Sequence, residues 1–154
     1  MEQLEVRTVR LEPMRVAYAS GFGTSPEDEA VEALHSWASA AGLLDQSPPP
    51  RFFGHDNPSP APGSPNYGYD SWMTVGPEVT ASGKVNIKQF EGGFYLVTRC
   101  VGIPNINRTW KRLVAWHEDS DYKPACHQCL EECLSPPGTP LDEVVMDLYL
   151  PVAE

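Results

Sequence analysis

Two stretches set 77 residues apart decide how this chain folds: Tyr69-Asp70-Ser71-Trp72-Met73-Thr74-Val75 and Met146-Asp147-Leu148-Tyr149-Leu150-Pro151-Val152. Each carries an aspartate, an aromatic residue two positions later, and a valine at its end. In the second, Leu148, Leu150 and Val152 form an apolar set with the period of 2 that belongs to a strand, so one face is buried and Asp147 and Tyr149 occupy the other. The same register puts Asp70 and Trp72 on that other face in the first stretch.

The correspondence continues outward. At an offset of 79, Val16 lies over Tyr95, Gly23 over Gly102, Leu34 over Leu113 and Trp37 over Trp116. Between the first strand and the second lies a helix. Ser25 is its N-cap, Pro26 takes the first helical position, Glu27, Asp28 and Glu29 fill the first turn, and Gly42 ends it. Its apolar stripe is Ala30, Val31, Leu34, Trp37, Ala38 and Ala41. A second helix over Asn107–Trp116 has Trp110, Leu113, Val114 and Trp116. Strands are expected over Val6–Tyr18, broken at Glu12-Pro13, and over Arg51–His55, Tyr67–Val75, Val85–Phe90, Phe94–Val101, Cys126–Leu134 and Val144–Val152, with Gly92-Gly93 as a turn at positive φ. The segment Asn57–Asn66, with four prolines, reads as an exposed semi-rigid loop. The order is β-α-β-β, twice. An α+β fold follows: one domain over residues 1–154, built from a repeat of about 1–76 and another of about 84–154, in which an antiparallel sheet carries two helices on one face and a groove lies between the halves.

Composition bounds the function. The chain has 154 residues, 41% of them hydrophobic, enough for one domain with a real core. Its 11 basic and 21 acidic side chains give a formal charge of -10. That balance argues against direct binding to nucleic acid or to an anionic membrane, since phosphate neutralisation needs a clustered basic face. With neither a leader-like segment nor an apolar run of membrane-spanning length, the expectation is a soluble cytoplasmic protein. From His117 onward there are nine acids and one base, Lys123, a run read as a solvated face or as site charge for a cationic ligand.

Alternation then sorts the candidate site. In the Cys126–Leu134 strand, Leu130 and Leu134 are assigned to the helix side, which turns Cys129, Glu131 and Cys133 the other way. An offset of 78 matches Phe53 and His55 to Glu131 and Cys133. The open face collects Phe53, His55, Asp70, Trp72, Glu131, Cys133, Asp147 and Tyr149. Aromatics with carboxylates suit a flat cationic or hydrophobic molecule through stacking, cation–π attraction and one charge-assisted contact. The ordinary alternative is that the rings are core and the aspartates pair at strand ends. Glu131 stands out, because a carboxylate in mid-strand among apolar residues costs several kcal/mol if unpaired, whereas Glu132 reads as a rim residue. As an enzyme, the chain would use Glu131 to activate water, Tyr149 or Tyr69 as a phenolic acid, and Trp72 or Trp110 as a stacking wall. Alternation points Tyr69 toward the helices and makes it the weaker acid. Cys126, Cys129 and Cys133, with His117 and His127 nearby, have the residue types of a zinc site. Alternation turns Cys126 away from the other two, so free thiols are expected, with neither metal nor cofactor.

These residues resemble a known family, the GyrI-like small-molecule-binding domain, also found as the effector-binding domain of AraC-type and MerR-type transcription regulators. The resemblance rests on Arg15-Val16-Ala17-Tyr18 with Phe22-Gly23, the Trp37 helix, Tyr69-Asp70, Gly92-Gly93-Phe94-Tyr95, Val101-Gly102, Trp110 with Leu113 and Trp116, Cys129-Leu130-Glu131, and Asp147 to Val152. It covers nearly the whole chain. It implies an SHS2-like pseudo-twofold fold whose central groove, lined by aromatics, holds a glutamate that meets lipophilic cations, as in bacterial multidrug binding. Glu131 takes the matching position, and Cys133 stands where relatives often carry a tyrosine. The chain would be a stand-alone member, with no helix-turn-helix domain, that binds a hydrophobic or cationic small molecule. Two other roles are implied by members of the family: a hydrolase that opens the cyclopropane ring of genotoxic natural products, and a partner of DNA gyrase or of a transcription regulator.

Overall fold

The computed structural model describes residues 4–45, 49–56, 62–136 and 138–154. It is an α+β fold of two compact units, Pro13–Glu91 and Met1–Glu12 with Gly92–Glu154. Of the proline-rich loops expected from the sequence, residues 48, 57–61 and 137 lie outside the described residues.

The Pro13–Glu91 unit holds β2 (Met14–Gly23), α1 (Pro26–Ala40), β3 (Phe52–Asp56), β4 (Tyr67–Thr74) and β5 (Asn86–Phe90), with strand order β3-β4-β2-β5. Its pairings are antiparallel, with Phe53 opposite Trp72, His55 opposite Asp70, Tyr18 opposite Trp72 and Val16 opposite Lys88. Residues directly opposite share a face. Ala17, Ala19 and Met73 therefore turn together to α1, where Leu34 and Ala38 complete a core with Val85. Ser25 stands at the helix N-cap without a side-chain capping bond, and Glu27, Asp28 and Glu29 occupy the first turn, where the helix dipole favours anions.

The other unit holds β1 (Arg7–Leu11), β6 (Gly93–Val101), α2 (Ile106–Glu118), β7 (Leu130–Cys133) and β8 (Val145–Pro151), in the order β1-β6-β8-β7. A single 3-10 turn, Ile103–Asn105, leads into α2. Leu113 on α2 packs with Leu96, Cys100, Met146, Leu148 and Val152. The break at Glu12-Pro13 has more consequence than the sequence suggested. β1 pairs with β6, whereas β2 pairs with β4 and β5, so the two halves of the expected Val6–Tyr18 strand serve different units.

β7 is the element that departs furthest from expectation. It spans four residues rather than the nine of Cys126–Leu134, and Cys126 and Cys129 are exposed ahead of it. At the β5–β6 turn Gly92 has φ of 84°, as a turn glycine should. Gly93 is not at positive φ. Its reason is space, because a Cβ there would sit 2.7 Å from His127 Nε2.

Candidate functional site

In the Pro13–Glu91 unit the sheet face turned from α1 collects what alternation predicted: Phe53 and His55 from β3, Asp70 and Trp72 from β4. Trp72 is fully buried. Its ring meets His55 edge-on at 5.1 Å and Phe90 at 5.4 Å. Asp70 accepts a hydrogen bond from Ser20 Oγ at 2.5 Å, and its Oδ2 lies 3.7 Å from His55 Nε2. Tyr18 and Lys88 complete the face, with Lys88 Nζ 4.2 Å from the Trp72 ring centroid and 4.4 Å from that of Tyr18. Tyr69, one position off this register, turns to α1 and lies over Gly54, where a Cβ would meet its hydroxyl at 2.0 Å. Strict alternation had pointed Tyr69 that way.

Burial pushes the His55 imidazole below its usual value, with the Asp56 carbonyl and Asp70 pulling the other way and Lys88 adding to the depression. The unfolded chain then takes up a proton below about pH 6.5 that folded His55 resists, so acidification favours unfolding. We expect stability to fall as pH drops from 6.5 toward 5 and His55→Gln to flatten that slope, measured by urea unfolding at each pH. His35, also depressed by burial, acts in the same direction. An unaltered slope in the variant removes His55 as a source.

The second unit corrects the central assignment from sequence. Across β7 and β8, Leu130 lies opposite Tyr149, Glu131 opposite Leu148, Glu132 opposite Asp147 and Cys133 opposite Met146. Leu148, Met146 and Cys133 belong to the core under α2, so Glu131 and Cys133 face the helix and not the open face. Glu131 accepts a hydrogen bond from Trp110 Nε1 of α2 at 3.0 Å, so Trp110, expected as a stacking wall of the site, lies with Glu131 on the helix side. Cys133 lies with its thiol 3.5 Å from the Ser135 carbonyl. The carboxylate beside Tyr149 is Glu132, only 5% exposed, with the Tyr149 hydroxyl donating to its Oε1 at 2.6 Å.

The error has a definite cause. Leu130 is wholly buried, but on the face of Tyr149, and Leu134, the second residue used to set the parity, lies beyond the strand and is exposed. A slip of one residue moves every side chain of a strand to its other face. Carried into β3 and β7, the offset of 77 that joins β4 to β8 matches His55 to Glu132 and Phe53 to Leu130, and both pairings hold in the two units. That offset was the signal available in the sequence; the value of 78 was one too many.

Around Glu132 the unit builds a polar and aromatic cluster. Asp147 is buried and takes hydrogen bonds from Arg7 Nη2 at 2.6 Å and from Arg99 Nε and Nη2 at 3.0 and 3.4 Å. Tyr95, buried and missed from sequence, meets Tyr149 edge-on at 5.6 Å and His127 edge-on at 4.9 Å. Burial raises the Tyr95 phenol well above its usual value, and nearby Cys129 adds to the effect. It therefore stays protonated. A buried carboxylate holding a phenol, with a second phenol against it, can anchor a cation or exchange a proton. Among the described residues no group of three or more His, Cys, Asp or Glu side chains is placed to hold a metal ion, and no helix is long and apolar enough to cross a membrane.

Comparison with known proteins gives the family context. The family profile of the GyrI-like small molecule binding domain matches residues 4–153. No curated protein matches the sequence. Among solved structures, the fold is similar to EcmrR in a DNA complex, with 12% identity and a TM-score of 0.79 over 97% of this chain and 57% of that one. The present chain thus spans a little over half the length of that protein. A structure described as a hydrolase from Listeria innocua is similar at 16% identity and a TM-score of 0.72, over 99% of this chain and 94% of that one. SAV2435 bound to tetraphenylphosphonium is similar at 10% identity and a TM-score of 0.60, over 97% and 94%. At these identities the likeness is one of fold.

Proposed function

This chain belongs to the family of GyrI-like small-molecule-binding domains, and from that premise we propose that it captures hydrophobic organic compounds, cationic or polycyclic, with Glu132 as the anchoring charge. The observation that carries the reading is the buried Glu132 carboxylate accepting from the Tyr149 hydroxyl, with the Tyr95 ring edge-on to that of Tyr149. A carboxylate out of water attracts an organic cation more strongly than one at the surface, because the effective dielectric around it is lower. The two phenol rings supply faces for stacking and for cation–π contact. Since Glu132 and Tyr149 are nearly fully buried, a ligand reaches them only as these side chains move, trading the phenol's hydrogen bond for its own charge.

A second reading, hydrolytic opening of a cyclopropane-containing electrophile, draws support from the same pair. Glu132 would take a proton from water as its oxygen attacks a ring carbon, the ring bond's electrons would pass to a conjugated carbonyl, and Tyr149 would protonate that oxygen and recover its proton from Glu132. Isothermal titration of the full chain with tetraphenylphosphonium, alongside mass spectrometry of a cyclopropane electrophile incubated with it, tests both readings. We expect saturable heat with the cation. A product heavier than the electrophile by one water would make the hydrolase reading the better one, and no saturable binding of any organic ligand would remove the binding reading.

A further inference from the structure

The face of the Pro13–Glu91 unit turned from α1 carries a cation of its own. Lys88 lies on β5 opposite Val16 of β2, one step along the same face from Tyr18, and Tyr18 lies opposite Trp72. This register lays the lysine stem across the sheet and brings Nζ to 4.2 Å from the Trp72 ring centroid and 4.4 Å from that of Tyr18. Phe90, next on that face, closes on Trp72 at 5.4 Å. Burial lowers the Lys88 amine below its usual value, and the Asp70 carboxylate pulls it back toward the charged form. An ammonium against two ring faces with an acid in its field is the means by which aromatic sites hold quaternary and other organic cations. In this chain the cation is covalently attached.

We propose that Lys88 is a specificity-determining residue, a tethered occupant of an aromatic cation cage formed by Trp72 and Tyr18, which keeps organic cations out of this unit. The inference rests on the preceding reading only in taking organic molecules as the ligands, and it concerns other residues than Glu132 and Tyr149. A free cation has to displace the amine to reach the rings. Attachment to the chain keeps the amine's effective concentration at roughly millimolar or above, so a ligand at micromolar concentration competes poorly. Removing the charge while keeping the stem leaves the rings without their cation, because methionine matches the apolar part of lysine without its ammonium.

The experiment titrates the full chain with tetraphenylphosphonium and with tetraphenylborate, ions of like shape and opposite charge, comparing the wild type with Lys88→Met and Lys88→Arg. Thermal unfolding verifies that each variant is folded, and Lys88→Gln gives the same readout should the methionine variant fail to fold. The expected result is a gain of about tenfold in affinity for the phosphonium in Lys88→Met, in line with the worth of a desolvated cation–π contact. Lys88→Arg stays at the wild-type value, and the borate gains nothing. No phosphonium gain in the neutral variants overturns the proposal. An equal gain for both ions also overturns it, since the lysine would then block by bulk alone. A wild type that binds neither ion, beside a Lys88→Met variant that binds the phosphonium, sinks the Glu132 reading and keeps this one. A wild type that binds, with no gain in the variant, does the reverse.

Discussion

Replacing Glu132 with glutamine weakens the uptake of tetraphenylphosphonium by roughly tenfold to a hundredfold, while the same change at Glu131 leaves it unaltered. The magnitude follows from the worth of one charge-assisted contact in a site out of water, about 1.5–3 kcal/mol, with each 1.4 kcal/mol equal to about tenfold in affinity. Glutamine keeps the shape and still accepts from the Tyr149 hydroxyl, which donates at 2.6 Å to Glu132 Oε1, so the variant removes charge with little change in packing. Glu131 is the matched control. It is adjacent in sequence and identical in chemistry, but it points to α2, where Trp110 Nε1 donates to it at 3.0 Å. Glu131→Gln retains an acceptor for that indole and keeps the open face intact. Equal weakening in the two variants would mean a general effect on folding, and weakening confined to Glu131→Gln would return the site to the helix side of the sheet.

The largest effect on stability belongs to Trp72→Ala. Trp72 is fully buried between His55 and Phe90 and beneath the Lys88 ammonium, and truncating a core aromatic to alanine costs about 3–5 kcal/mol in lost transfer energy and residual cavity. Against a typical total of about 5–15 kcal/mol, that is a third or more of the stability of all but the most stable domains. Trp72→Phe is far milder, because the indole Nε1 has no hydrogen-bond partner among the described residues and phenylalanine gives up ring volume without stranding another polar group. Urea midpoints for the two variants decide the matter. A loss below about 1 kcal/mol for the alanine variant would mean that the site collapses onto neighbouring side chains.

What could be read from the sequence, and what could not, divides along the length of the elements. β4 and β8 were legible because each carries a long alternation in which an aspartate and an aromatic residue repeat at one spacing, and their faces come out as expected: Asp70 with Trp72, Asp147 with Tyr149. The helices were legible from the period of 3.6 and, for α1, from Pro26 and the acids of its first turn. β7 was not. Four residues, Leu-Glu-Glu-Cys, hold two adjacent carboxylates, and alternation alone cannot choose between them without a fixed point. The leucine chosen as that point is buried on the face opposite to the one assumed. The role of Lys88 is not legible in the sequence for a related reason. A lysine in a short strand reads as solvated, and only the register of β2 against its two neighbours brings the ammonium over two rings that come from different strands.

The origin of β1 matters for the order in which the chain can become structured. Pro13–Glu91 is continuous in sequence, and its pairings close within a single span. The other unit waits for its partners: Arg7 pairs with Val97, about ninety residues downstream, and β8 comes later still. During synthesis from the N-terminus, β1 is made before β6, so its backbone amides and carbonyls bond to water rather than to a partner strand while residues 13–91 are made. Long-range pairing of this kind is slow, and exposed strand edges invite pairing with other chains. This segment, Arg-Thr-Val-Arg-Leu, carries Arg7 and Arg10, charges of the kind that discourage such pairing, and in the finished unit Arg7 donates to Asp147.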